Sequence, residues 1–331
     1  MKNVIEKLIS REDLEDLEMQ DAFDAIMSGQ VNDTQIGAFL IALRAKGEKP
    51  EEIACAARIM RDKALKVNVD FDVMDTCGTG GDCASTFNIS TAVAFVLAGA
   101  GIKVAKHGNR SVSSSSGSAD CLEALGVPID MEPEKAAASL KSTGFAFMFA
   151  PRYHPSMKHA MPARKQLGMK TIFNILGPLT NPARAAYQVI GVYDRRLIGP
   201  VIEVLRLLGL KGAMVVHSGL DEVSISGPTA YARLAGGLIS QGEILPEDAG
   251  ITRNGYGLED LKVSTPQESA GLIEGVFDGS KKGACLESIL LNSGAAFMAL
   301  DGSIDIRDGV SMASDVIGSG KAMNALLSAR A

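Results

Sequence analysis

The sequence predicts an α/β protein: a small all-helical N-terminal domain, then a larger α/β domain with a mainly parallel central sheet flanked by helices. Three observations carry this. Residues 1 to about 68 keep a helical apolar period with starts and stops in place. After "VNVDFD", short apolar runs rich in β-formers alternate with longer helical stretches, the pattern of βα units. With 331 residues, 46% of them hydrophobic, the chain is long enough for one large domain and a smaller one.

The elements follow in order. "SREDLEDLEMQDAFDAIMSG" places Leu14, Leu17, Met19, Phe23, Ile26 and Met27 at helical spacing, with Ser10 as expected cap and Gly29 as stop. "NDTQIGAFLIALRAKG" repeats the design and ends at Gly47. "KPEEIACAARIMRDKA" has Pro50 suited to a first helical turn. Then "VMDTC", "IKVAKH", "FAFMFA", "YQVIGVY" and "AMVVHS" read as strands. "STAVAFVLAGAG", "SADCLEALG" and "RLIGPVIEVLRLLGL" read as the helices among them. From "PQESAGLIEGVFDG" to "KAMNALLSAR" the chain is again helical. Residues 155 to 185 stand apart: "PSMKHAMPARKQLG" reads as one helix, and the prolines of "IFNILGPLTNPA" argue against a buried strand. This insertion is expected to rejoin the N-terminal helices, giving a small domain of 1–68 plus about 155–185, and a large domain of 69–331.

A net charge of −6 and the lack of any long basic run argue against a nucleic-acid partner. The five dispersed cysteines suggest reduced thiols. The acidic, amphipathic start has neither a signal-peptide core nor a membrane span, so the chain is expected to be soluble and cytoplasmic.

Three loops follow strand ends. "DTCGTGGDCASTFNIST" precedes a helix starting near Ser90, where backbone N–H groups and the helix dipole favour an anion. It lacks the lysine of a P-loop, and Cys83 stands where a dinucleotide fingerprint needs glycine. Taken alone, the run suits a plain turn as well as an anion site. Asp82 fits beside a phosphate only if a cation or sugar hydroxyls share the place. "KHGNRSVSSSSGSADCLEALG" brings Lys106, Arg110 and six serines, with Ser118 as expected cap of the following helix; linkers do not usually open on such a cluster or run straight into an apolar helix. "HSGLDEVSISGPT" carries the adjacent acids Asp221 and Glu222. Acid pairs on surfaces commonly do nothing, but these would share the carboxyl edge of the sheet, where open α/β sheets bind ligands. Magnesium takes one or two carboxylates and completes its shell with water and phosphates. The three loops together imply a polyphosphate carried with magnesium.

In the segments GTGGD (78–82), NIST (88–91), KHGNR (106–110), SGSAD (116–120), HAMPARKQLG (159–168), FNILGPLTNPA (173–183) and HSGLDEVS (217–224), the chain resembles the anthranilate phosphoribosyltransferases of tryptophan biosynthesis. Seven segments in the right order are far more specific than one loop. The resemblance implies transfer of the phosphoribosyl group from phosphoribosyl diphosphate (PRPP) to anthranilate, with Mg2+, two ions being expected, and a homodimer. It also implies that Gly78, Gly81, Asp82, Thr86, Asn88, Ser90, Thr91, Lys106 and Ser118 contact PRPP. Gly78, His107, Asn109, Arg164 and Pro178 would form the anthranilate side, and Ser90, Asp221 and Glu222 would hold the metal. The residue types bear this out unevenly. Arg164 suits a carboxylate because its fork binds bidentately. His107 and Pro178 offer flat faces to a ring, though each alone would more often be a packing residue. His154 and His159 have no strong chemical claim, and His217 is expected to be structural.

Some positions depart from the family pattern: Cys83 for glycine, Ser115 for a cation, Lys170 for arginine, and Val263-Ser264 for a glycine pair. These bear on phosphate affinity and loop closure. The absence of a catalytic triad or general-base pair agrees with the chemistry. An aniline-type amine is uncharged at neutral pH and needs no base, so the site has to position reactants and neutralise the charge of the leaving diphosphate. Two alternatives remain. A pyrimidine nucleoside phosphorylase would need a free-phosphate site and have little use for an acid pair. A non-catalytic nucleotide-binding relative should show a basic surface or a broken acid pair. The intact Asp221-Glu222 pair favours the transferase.

Overall fold

The computed structural model describes residues 1–81, 84–111, 115–251 and 255–331. Four helices open the chain: α1 (Lys2–Ile9), α2 (Asp16–Met27), α3 (Asp33–Lys46) and α4 (Pro50–Lys63). Ser10 does not cap α2; it closes α1. Glu15 takes the cap position instead, its backbone N–H donating to the Glu18 carboxylate at 2.9 Å. Asn32 caps α3 through the Gln35 N–H at 2.9 Å, Gly47 ends it at φ 94°, and Pro50 opens α4.

The rest alternates as β1 (Met74–Asp75), α5 (Ile89–Gly99), β2 (Val104–Gly108), α6 (Ser118–Ala124), α7 (Pro133–Thr143), β3 (Phe145–Phe149), α8 (Ala150–Tyr153), α9 (Met161–Leu167), α10 (Phe173–Leu179), β4 (Tyr187–Gly191), α11 (Ile198–Leu207) and β5 (Gly212–His217). A hairpin follows, β6 (Thr229–Ala235) and β7 (Leu238–Ile244), then α12 (Pro266–Phe277), α13 (Ala284–Leu300), α14 (Ile306–Gly318) and α15 (Lys321–Ala329). The sheet order is β3-β2-β1-β4-β5-β6-β7, with β1 to β5 parallel and the hairpin antiparallel. Strand order reverses at β1 and β4, so the crevice at their carboxyl ends is the natural ligand position of such a sheet.

The stretch from Pro155 to Gly168, read as one helix, is divided into a 3₁₀ turn over Pro155–His159 and α9. Pro162 lies in the first turn of α9, where its missing N–H interrupts the hydrogen-bond ladder. The β6–β7 hairpin was not anticipated, although Gly236 and Gly237, both with positive φ, make the two-residue turn that would announce it.

Alternate residues along each strand feed opposite cores. Phe145 and Phe147 of β3, with Met214 and Val216 of β5, pack under α5 and α12–α15. Ala213 and Val215 of β5 face the other way. They share one core with α11, with Phe23, Phe39 and Leu40 of the N-terminal helices, and with Ile172, Phe173 and Leu176 at α10. The four described cysteines carry free thiols. Among the described residues no helix is long and apolar enough to cross a membrane.

Candidate active site at the carboxyl edge of the sheet

The loop after β1 needs its glycines for two different reasons. Gly80 and Gly81 have φ of 63° and 80°, which L side chains rarely adopt. Gly78 is crowded instead: a Cβ there would stand 3.1 Å from Asp221 Oδ2 and 3.3 Å from the Gly191 carbonyl. The Asp221 carboxylate is thus held against this loop, and its Oδ2 accepts the Gly80 N–H at 2.9 Å. Lys170 Nζ donates to the Gly81 carbonyl at 3.1 Å while lying 3.3 Å from the centre of the Tyr193 ring, so the insertion grips the same loop. Thr86 pairs through its backbone with Lys262, and Thr91 is buried in the first turn of α5. Asp82 and Cys83 lie outside the described residues.

Lys106, on β2, is 1% exposed and reaches across beneath the loop. Its Nζ donates to the Thr76 carbonyl at 2.9 Å and to the hydroxyls of Thr76 and Ser90 at 3.2 Å each. No acid pairs with it among the described residues. Arg110, by contrast, is paired with Asp120 and Glu123 at 2.8 and 2.9 Å, which raises its pKa and leaves little net charge for an anion. Asn88 is a node. Its Oδ1 accepts from the hydroxyls of Ser116 and Ser269, and its Nδ2 donates to the Ser116 carbonyl at 3.1 Å, tying the start of α5 to the serine loop and to α12. Ser118 does not cap α6. Gly117 holds the cap position, because a Cβ there would meet Ser111 N at 2.2 Å, and the Ser118 hydroxyl donates to the Asn109 carbonyl at 3.3 Å. Ser115 and Val263, two of the departures, touch each other: the serine hydroxyl donates to the Val263 carbonyl at 2.7 Å.

The acids follow β5 and meet the first loop over Gly191, the last residue of β4. A Cβ on Gly191 would lie 1.5 Å from the Asp221 carbonyl oxygen, so the two backbones are in direct contact. Asn292 of α13 holds the acidic loop by accepting the Val223 N–H at 2.8 Å and donating to its carbonyl at 3.0 Å. Thr76, Gly78, Ser90, Gly191, Asp221, Glu222 and Asn292 all line one narrow cleft at the β1/β4 crevice. Its side-chain donors are hydroxyl, carboxylate and amide oxygens, the set a hard divalent cation prefers, so the residues fit Mg2+.

The residues expected on the aromatic side fall in two separate places. His107 Nδ1 is 3.0 Å from the carbonyl of Gly177, the residue before Pro178; His107 and Pro178 are both buried, and Asn109, two residues after His107, is exposed. The Pro178 carbonyl accepts from Gln188 at 2.8 Å. Burial, helped by neighbouring His154 at 5.1 Å between ring centres, holds the His107 pKa down to about 3, so the ring is neutral. Arg164, on α9, meets α10 at the end away from Gly177 and Pro178, its guanidinium 5.0 Å from the centre of the Phe173 ring. Burial lowers its pKa, and it has no carboxylate partner among the described residues. Neither a hydrogen bond nor an ion pair joins Arg164 to His107 or Asn109. Of the remaining histidines, His217 Nδ1 bonds the Val192 carbonyl at 2.7 Å and His159 packs on Gly29. Asn292 and Gly191 escaped the sequence reading because their partners lie far along the chain. In the sequence Lys170 stands out only as a departure from the family's arginine.

Residues 2–64 match the family model of the glycosyl transferase helical bundle domain, and residues 70–323 that of the glycosyl transferase a/b domain. The anthranilate phosphoribosyltransferase of Persephonella marina is 49% identical over 330 residues, 98% of this chain and 97% of that one. The crystal structure of the Thermus thermophilus anthranilate phosphoribosyltransferase superposes with a TM-score of 0.93 at 39% identity, covering 99% of each chain. The Saccharomyces cerevisiae enzyme, solved in complex with PRPP and Mg, superposes at 0.89 with 28% identity, covering 99% of this chain and 96% of that one. With its crevice, its loops and these relatives taken together, the chain belongs to the anthranilate phosphoribosyltransferase family.

Proposed function

We propose that this protein transfers the 5-phosphoribosyl group of PRPP to the amine of anthranilate, releasing diphosphate, as a Mg-dependent step of tryptophan biosynthesis. The observation that carries the reading is the Asp221 carboxylate held against Gly78 and Gly80 at the sheet crevice, one wall away from Ser90 and buried Lys106. Ser90, Asp221 and Glu222 hold the metal; two ions are proposed, since PRPP offers two phosphate ends. The ion, when bound, offsets negative charge on the diphosphate as it leaves. Gly78, Gly81, Thr86, Thr91 and Ser118 are the proposed contacts of the sugar phosphate, together with Asp82, which lies outside the described residues, and Asn88 acts by binding the loops together. Lys106, its ammonium bonded to Thr76 and Ser90, places a positive charge on the same side.

On the aromatic side, His107 and Pro178 present flat surfaces, Asn109 a polar edge, and Arg164 a cation for the carboxylate. The amine attacks ribose C1 as the bond from C1 to the diphosphate oxygen breaks. The proton then leaves the nitrogen to solvent, with no general base required. The family pairing of a helical bundle with an α/β domain supports the division near residue 68, and the core that Ile172, Phe173 and Leu176 share with the N-terminal helices supports joining about 155–185 to 1–68, within a large domain of 69–331. A homodimer and a cytoplasmic location complete the proposal. The test follows anthranilate fluorescence on mixing with PRPP. Its loss should require Mg2+, and persistence of the signal with both present would overturn the reading.

A further inference from the structure

Beneath the crevice lies a carboxylate that has no place among the substrate contacts above. Asp75 ends β1 with no exposed surface. Its Oδ1 accepts the His107 backbone N–H at 3.1 Å and its Oδ2 accepts Asn181 Nδ2 at 2.8 Å. Asn181 is itself saturated, donating also to the Ala105 carbonyl at 2.7 Å and accepting the Ala183 N–H at 2.8 Å. With the His107 imidazole on the Gly177 carbonyl, these bonds close a ring: Asp75, His107, Gly177, along the chain to Asn181, and back to Asp75. The ring encloses Pro178.

We propose that Asp75 is a positioning residue for the aromatic acceptor: by bridging the His107 peptide and the Asn181 amide, it fixes the His107–Pro178 wall against which the ring is held. The inference rests on the assignment of His107 and Pro178 to the anthranilate side.

Three facts favour this over a purely structural role. The bridge joins two segments far apart in sequence, β2 at His107 and the stretch after α10 at Asn181. It needs two acceptors on one short side chain, which a carboxylate has and an amide lacks. Burial also raises the Asp75 pKa to about 6, so its charge at neutral pH is held against a desolvation cost, and fold stability alone gives no reason to keep it ionised. Two buried cations lie close enough to offset that charge, Lys106 and Arg61, and neither pairs with another acid among the described residues.

The experiment measures initial rates of full-length Asp75→Asn against both substrates, beside Arg164→Ala and Asn181→Ala. Asp75→Asn should raise the anthranilate KM about 10-fold or more while the PRPP KM and the Mg2+ requirement stay within about 2-fold. Asn181→Ala, which removes the same link, should act alike, and the double variant should be no worse than the worse single one. If Asp75→Asn folds poorly, Asn181→Ala carries the same expectation. An unchanged anthranilate KM, with rate lost only as folded fraction is lost, overturns the positioning role, as does a rise confined to the PRPP KM. If Arg164→Ala raises the anthranilate KM and the Asp75 and Asn181 variants do not, that role alone fails. If all three leave it unchanged, the aromatic subsite fails with it.

Discussion

Replacing Gly191 by alanine adds a single methyl where β4 meets the acidic loop. That methyl would lie 1.5 Å from the Asp221 carbonyl oxygen, 2.3 Å from its carbon and 2.9 Å from its Cα, all backbone atoms that no rotamer change can clear. Ordinary contact requires more than 3 Å, so the Asp221 backbone has to retreat by roughly 1.5–2 Å. Gly191 does not have a positive φ, so the effect is steric alone. The retreat pulls Asp221 Oδ2 off the Gly80 N–H, now at 2.9 Å, and opens the cleft where the metal is proposed to sit. Misplacement by about 1 Å can cost a factor of about 100 in rate, equivalent to about 2.7 kcal/mol. Overpacking typically costs about 1–3 kcal/mol of stability, within the margin of a domain this size. Gly191→Ala should therefore stay folded, lose about 100-fold in kcat/KM and need more Mg2+ for half-maximal rate. The assay is the continuous loss of anthranilate fluorescence across a Mg2+ series, with circular dichroism to confirm folding. A folded variant with wild-type rate and Mg2+ dependence would refute the contact between strand end and acid.

Asp221→Asn with Glu222→Gln should raise the Mg2+ requirement and cut turnover by about 100-fold or more, and wild-type metal dependence in that double variant would count against the metal role. Arg164→Ala should raise the anthranilate KM about 10-fold with little change for PRPP; the reverse pattern would move Arg164 to the phosphate side. Lys46→Met should destabilise the protein by about 3–5 kcal/mol in urea unfolding, because Lys46 neutralises the buried Glu52 carboxylate at 2.9 Å. Burial depresses His107 to about 3 and His154 to about 4, so between pH 6.5 and about 4 the unfolded chain binds protons that the native one refuses. Stability should fall on acidification through that window, with Asp75, raised to about 6, offsetting part of the loss. A melting temperature that is flat from pH 7 to 5, or unaffected in slope by His154→Gln, would contradict this.

The sequence made legible what is local. Caps at Asn32 and Gly47, Pro50 at a helix start, and the alternation of strands with helices all express backbone preferences over a few residues. Ser10 misled because a serine beside an acidic run looks like a cap, whereas the Glu15–Glu18 pair makes the real one. The strands β6 and β7 were hidden by their weak apolar alternation, β7 being mostly exposed. The glycine motif was legible as a place of close approach, but not what approaches: the Asp221 carboxylate comes from residues distant in sequence, and only the fold brings it there. Arg110 failed for a related reason, since its neutralising acids, Asp120 and Glu123, lie beyond the serine run on α6.

The acids differ from the other two loops in how the chain leaves them. After β1 and β2 the backbone departs into a helix, but after β5 it turns straight back into β6, with His217 paired to Ala230 and the Ser224 N–H bonded to the Thr229 hydroxyl at 3.0 Å. The carboxylates therefore ride on a closed hairpin end, pinned from the side by Asn292. Lengthening or shortening it by one position would rotate both acids relative to the crevice with no helix to absorb the change. Natural variation in length should thus gather in the helical crossovers of this enzyme and spare the stretch between Ser218 and Thr229.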